Sequence, residues 1–77
     1  MITQEEMRIL INTLSNIYDW SSENLEKDFV SFIQSEIKTI PEDKIVNLFN
    51  KFESIPTLER ESIHFNFESF IRNNLKH

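Results

Sequence analysis

Not one of the 77 residues is glycine, and that absence limits both how the helices of this chain can end and which chemistries it can support. Glycine is the usual occupant of the left-handed position that closes a helix, so helix ends here fall to Asn, Ser and Pro. Asn73 or Asn74 is expected to take the left-handed cap near the end of the chain. The P-loop, the dinucleotide-binding turn, the EF-hand bend and the strained nucleophile elbow need glycine at set positions, and all four are excluded. Cysteine is absent too, which removes disulfides, thiolate zinc sites and cysteine nucleophiles together.

A chain of this length is expected to form a single domain, residues 1–77, burying only about 60% of its unfolded surface, so stability is marginal and a bound partner matters to it. Charged residues at 27% and hydrophobic residues at 39% give a globular balance, and seven phenylalanines supply much of the core. Residues Met1 to Glu6 carry two acids in place of a basic leader, and no apolar run approaches the roughly 18 residues that span a bilayer. A cytoplasmic protein without a membrane partner is expected.

The patterning predicts an all-α fold, a small four-helix bundle with an irregular acidic connection before the last helix. Thr3 and Glu6 have capping-box spacing and Ile2 and Met7 staple spacing, which starts helix 1 at Gln4. Met7, Leu10, Ile11, Leu14, Ile17 and Tyr18 then recur on one face as far as about Tyr18. Asp19 to Ser22 reads as a turn with hydroxyl caps into helix 2, from about Glu23 to Lys38, which buries Leu25, Phe29, Phe32, Ile33 and Ile37. Helix 3 begins at Pro41, with Glu42 and Asp43 at the positive end of its dipole and Ile45, Leu48, Phe49 and Phe52 inward. Pro56 ends it by Ser54. Ile40-Pro41 and Ile55-Pro56 recur 15 residues apart, too short a match to mark a repeat.

The last element allows two readings. Either a helix runs from about Thr57 to Leu75, burying Ile63, Phe67, Phe70, Ile71 and Leu75, or an acidic loop holding His64 and Phe65 leads to a shorter helix capped by Asn66. The alternation of Ile63, Phe65 and Phe67 is too short to require a strand.

Catalytic hardware is sparse. If helical, Glu61, His64 and Glu68 share a face at i−3 and i+4 spacing, but one histidine with two carboxylates is more often a surface ion-pair cluster than a metal site. His77 ends the sequence. No serine has a visible histidine and acid arrangement, and paired carboxylates such as Glu5 with Glu6 or Glu59 with Glu61 need a cleft that a chain this small hardly builds. An enzyme is not expected, nor any metal or cofactor. Direct nucleic-acid binding is not expected either, because the eight Lys and Arg are scattered.

Charge is lopsided instead. Residues 1–37 hold seven acids and two bases, whereas residues 38–77 hold six of each, for a net charge of -5. An acidic surface is commonly a solvated face. Two segments stand out against that background. Tyr18-Asp19-Trp20 with Glu23 and Glu26 combines aromatic and acidic groups as an interface hot spot does, or else places Trp20 over the core. Glu53, Glu59 and Glu61 flank a proline-containing connection with only Arg60 against them, and connections displayed on a rigid bundle are common binding surfaces.

Three stretches together, SENLEKDFVSF from Ser22 to Phe32, IPEDKIVNLFNKFE from Ile40 to Glu53 and FESFIRNNLK from Phe67 to Lys76, resemble the colicin D-like immunity proteins. The likeness lies in pattern and spacing over residues 10–76: the Leu48-Phe49 pair in the third helix, the acidic loop after it and a last helix ending in leucine. It implies an all-helical cytoplasmic inhibitor that binds one cognate nuclease toxin, often one that cleaves transfer RNA, and blocks its cationic active site. The family's contact acids lie at the end of helix 3 and in the following loop, which maps onto Glu53, Glu59 and Glu61. Pro56 and Thr57 stand where that pattern has further acids, and the tyrosine-tyrosine-proline segment of the DNase-type immunity proteins is absent.

The expected partner-binding residues are therefore Glu53, Glu59 and Glu61, joined by Glu42 and Asp43. Carboxylates stand in for phosphates because Arg pairs with either in bidentate geometry, and an acidic face steers a cationic partner. The alternatives are an acidic regulator of another nucleic-acid-binding enzyme, or a homodimeric bundle burying Ile9, Val30 and Val46 against a copy of itself.

Overall fold

Helix 1 starts where its local signals put it. In the computed structural model, which describes residues 2–75, the Glu6 N–H donates to Thr3 Oγ1 at 3.1 Å and the Thr3 N–H donates to Glu6 Oε1 at 2.9 Å, closing a reciprocal capping box. Ile2 and Met7 both pack into the core. Helix α1 runs Gln4–Ser15, shorter than the apolar stripe suggests, and a 3₁₀ turn Ile17–Asp19 follows. Ile17 stays buried while Tyr18 swings to 53% exposure, because the tighter turn advances each side chain by more than the α-helical angle.

Helix α2 spans Leu25–Glu36 and is capped by Asn24, whose side chain accepts from the Lys27 N–H at 3.1 Å. The expected hydroxyl caps are displaced from this role: Ser22 donates instead to the Asp28 carboxylate. Ile37 lies just past the helix, extended and buried. Helix α3 spans Glu42–Glu53, the one-turn helix α4 spans Thr57–Arg60, and helix α5 spans Phe67–Asn74. The two Ile-Pro pairs prove to share a local role. Pro41 and Pro56 sit at ψ of 152° and 140°, each one residue ahead of its helix, and each carbonyl accepts the first N–H groups of the turn. The missing proline N–H falls where no helical acceptor exists.

Of the two readings of the last element, the shorter helix holds. Asn66 accepts from the Ser69 N–H at 3.0 Å, and His64 and Phe65 lie in the connection, to which α4 adds one turn. All regular elements among the described residues are helical. Helix α3 packs against α2 and α5, and α1 against α5 and α2, around one apolar core. The radius of gyration is 11.8 Å, against about 11.5 Å expected of a compact chain this long.

Phe52 organises one end of that core, with Phe65, Phe67 and Phe70 at centroid distances of 6.2, 6.0 and 5.8 Å. Such pairs add about 0.5–1.5 kcal/mol beyond their area. Several burial expectations are corrected. Val30 is only 7% exposed, and Ile9 and Val46 are half-buried against the core, so the face named for a homodimer is already covered by the chain's own helices. Contact with both α1 and α3 widens the buried stripe of α2 to include Val30. Conversely Phe32 and Ile63, expected inside, are exposed. Ile63 precedes α5 and so never enters its stripe.

No described residue has a positive φ, so the left-handed cap expected at Asn73 or Asn74 does not form. Both lie inside α5, and Leu75, the residue that follows it, has φ -106°. Side chains satisfy the terminal carbonyls instead: Asn16 Nδ2 donates to Asn12 O and Asn74 Nδ2 to Phe70 O, both at 2.8 Å. The hydroxyls of Ser15, Ser35 and Ser54 reach back three residues in the same way.

Candidate functional site

The connection between α3 and α5 is built around an inward-facing arginine. Arg60 belongs to the single turn that Pro56 initiates, and its side chain is only 8% exposed. Its guanidinium carbon stands 4.8 Å from the centre of the Tyr18 ring and 5.0 Å from that of Phe52, within cation–π range of both. Nη1 donates to Glu53 Oε2 at 3.0 Å and to the Phe52 carbonyl at 3.4 Å, and Nη2 to Thr57 Oγ1 at 3.1 Å. The buried Nε has no hydrogen-bond partner. Tyr18 completes the arrangement by donating its hydroxyl to the same Glu53 oxygen at 2.9 Å. One residue of the α1 end, one of the α3 end and one of the connection are thereby tied together.

This arrangement changes the charge of the segment. In the sequence Glu59-Arg60-Glu61 the arginine stands between two acids; in the fold it turns away from them and neutralises Glu53. Glu59 and Glu61 remain exposed, with no ion pair among the described residues. Glu53 is thus a structural ligand of Arg60 as well as a candidate contact. Glu42 and Asp43 are exposed in the first turn of α3, about 16 Å from Glu53 along a helix rising about 1.5 Å per residue. The five acids therefore do not form one patch: Glu53, Glu59 and Glu61 gather at one end of α3, and Glu42 and Asp43 lie at the other.

The second candidate segment meets the first at Tyr18. Trp20 is half-buried and packs edge-on against Phe32 at 5.7 Å, so it covers the core, while Asp19 and Glu23 are exposed. Glu61, His64 and Glu68 share no helical face, since α4 ends at Arg60 and Glu68 pairs with Arg72 at 3.1 Å inside α5. Among the described residues no group of three His, Asp or Glu side chains could hold a metal ion, and His77 lies outside them.

Three features of the surface were not apparent in the sequence. The Tyr18–Glu53–Arg60 cluster joins positions up to 42 residues apart and has no local signature. Leu58 and Ile63 stand 86% and 94% exposed in the connection. A shallow groove of about 300 Å³ between α1 and α5 is lined by Met7, Arg8, Ile11 and Arg72 among others. Both of its arginines are paired within their own helices, Arg8 with Glu5 and Arg72 with Glu68, and the Glu5 carboxylate holds the Arg8 pKa above its ordinary value.

In the same first turn of α1 the Glu6 carboxylate is held below the ordinary glutamate range, first by the Thr3 N–H and then by the Thr39 hydroxyl, which donates to it at 2.7 Å. No described helix is long and apolar enough to cross a membrane. Comparison with protein-family models, with curated proteins and with solved structures finds no match.

Proposed function

We propose that this chain is an immunity protein: it binds a cognate bacterial nuclease toxin, most simply one acting on RNA, and inhibits it by covering the cationic active site with carboxylates. The observation that carries the proposal is the pair Glu59 and Glu61, exposed and without an ion pair among the described residues, on a connection whose own arginine is turned inward. A nuclease lines its cleft with Lys and Arg to hold phosphates, and carboxylates occupy those donors in the same bidentate geometry. The net charge of -5 steers such a partner toward the chain over distances near the Debye length. The likeness to colicin D-like immunity proteins supports the same reading, with the end of α3 and the following connection as the contact region.

On this reading the chain works in the cytoplasm by occlusion, needs no cofactor and catalyses nothing. The proposal requires a nuclease toxin gene next to this one, and the test is co-expression with the domain that gene encodes. Rescue of growth and co-purification of a stable complex are expected. Continued killing, with both proteins soluble and no complex between them, would exclude the proposal.

A further inference from the structure

We infer that Leu58 and Ile63 are apolar anchors that enter the base-binding pockets of the nuclease, beside the phosphate sites taken by Glu59 and Glu61. The inference rests on the proposed inhibition of a nuclease and adds a second kind of contact to it. Isolated exposed leucines are ordinary on protein surfaces. Leu58 and Ile63 differ in three respects. They are far more exposed than Tyr18 or Phe32, the other large apolar side chains at the surface. Both belong to one short connection, while Tyr18 and Phe32 are each engaged with a neighbouring ring, Tyr18 with Phe52 and Phe32 with Trp20. And they flank two carboxylates that make no ion pair among the described residues, giving the order apolar, acid, buried arginine, acid, serine, apolar along residues 58–63.

That order matches what a single-stranded nucleic acid offers a protein. Such strands are held by cations along the backbone and by apolar or aromatic platforms that receive the bases. A second copy of this chain is a poor occupant, since it brings the same acids to the contact and like charges oppose one another. The Arg60 cluster adds preorganisation at Leu58, because Arg60 is bonded to Thr57 inside α4 and to Glu53 on α3. Ile63 lies beyond α4 in a turn closed by the Phe65 N–H donating to Ser62 O, so binding orders little additional chain.

The two kinds of contact have separable kinetic signatures. Charges on the rim mainly set the association rate and its salt dependence, whereas desolvated apolar contacts mainly set the dissociation rate. The experiment measures both rates for the catalytically inactivated toxin domain across a range of salt concentrations. For the variant L58S/I63S the dissociation rate should rise about tenfold or more while the association rate and its salt slope hold within about twofold. For E59Q/E61Q the association rate should fall and its salt slope flatten. An unchanged dissociation rate in L58S/I63S overturns the anchor role.

Two further measurements distinguish the remaining roles. The thermal midpoint of free L58S/I63S should match that of the unsubstituted chain, because both side chains are already in water; a clear drop would assign them to packing and overturn the inference. Sedimentation that shows self-association abolished by L58S/I63S would give the pair to a second copy and likewise overturn it. If the unsubstituted chain forms no complex with the toxin domain, the inhibitor reading itself falls and the anchors fall with it, an outcome distinct from a complex that forms but ignores the anchors.

Discussion

Arg60 shows how far one residue's role can depend on the fold around it. In sequence it looks like a surface cation between two acids; in the structure it is a buried tie between Tyr18, Phe52 and Glu53. Arg60→Ala should lower the unfolding free energy by about 2 kcal/mol through loss of the ring contacts and of the charged hydrogen bonds. Arg60→Lys should recover less than half of that, because an ammonium cannot reproduce the planar fork between two rings. Urea titration of the three proteins checks this, and a loss in R60A below a few tenths of a kcal/mol would contradict it. Glu6 offers a pH test. Its folded-state pKa is depressed by the Thr3 N–H and the Thr39 hydroxyl, so its contribution is full above the unfolded value of about 4.3 and is lost as the pH falls through the folded value. Glu6→Gln should therefore flatten the fall in stability below about pH 5, measured as the urea midpoint against pH. An identical pH profile in E6Q would show that the capping carboxylate contributes nothing. The absence of glycine is also resolved at this scale: Asn and Ser side chains fold back onto terminal carbonyls, and left-handed residues are not needed.

Three of the helix starts were legible from local signals, whereas the Asn24 cap of α2 and the turn after Pro56 were not. Thr3 with Glu6, Pro41 ahead of two acids and Asn66 ahead of Phe67 each act within one turn, and each appears in the fold at or within one residue of its expected place. Asn66→Ala should cost about 1 kcal/mol, and Asn66→Asp should restore it by accepting the same Ser69 N–H. Equal stability of N66A and the unsubstituted chain in urea would show that α5 does not depend on its cap. What the sequence concealed depends on neighbours distant in the chain. Val30 is buried because α2 touches two helices, which no single-helix stripe reveals. Ile63 is exposed because the chain breaks at Arg60 and restarts at Phe67, a choice its apolar spacing left open. Phe32 lies at the edge of its stripe and meets only Trp20 among the aromatic rings. The candidate acids were legible as a list but not as a surface, since the inward Arg60 pairs with Glu53 and the length of α3 sets Glu42 and Asp43 apart from the rest.

At the scale of the molecule, a bundle with a single apolar core presents its carboxylates at separate ends of α3, and the account assigns inhibition to one of those ends. The assignment sharpens what charge reversal can test. Reversal at Glu53 disturbs the Arg60 tie as well as any contact, whereas Glu59 and Glu61 make no ion pair among the described residues and so report on binding more directly. Glu42 and Asp43 carry the same charge at the far end of the same helix and serve as the control. The most direct measurement is inhibition of the toxin domain's RNA cleavage by the unsubstituted chain, by E59K/E61K and by E42K/D43K, with matched helicity confirmed by far-UV circular dichroism. The account predicts that E59K/E61K weakens inhibition at least about tenfold while E42K/D43K stays within about threefold, the residual change reflecting long-range steering. Equal losses in the two variants, or none in E59K/E61K, would contradict it.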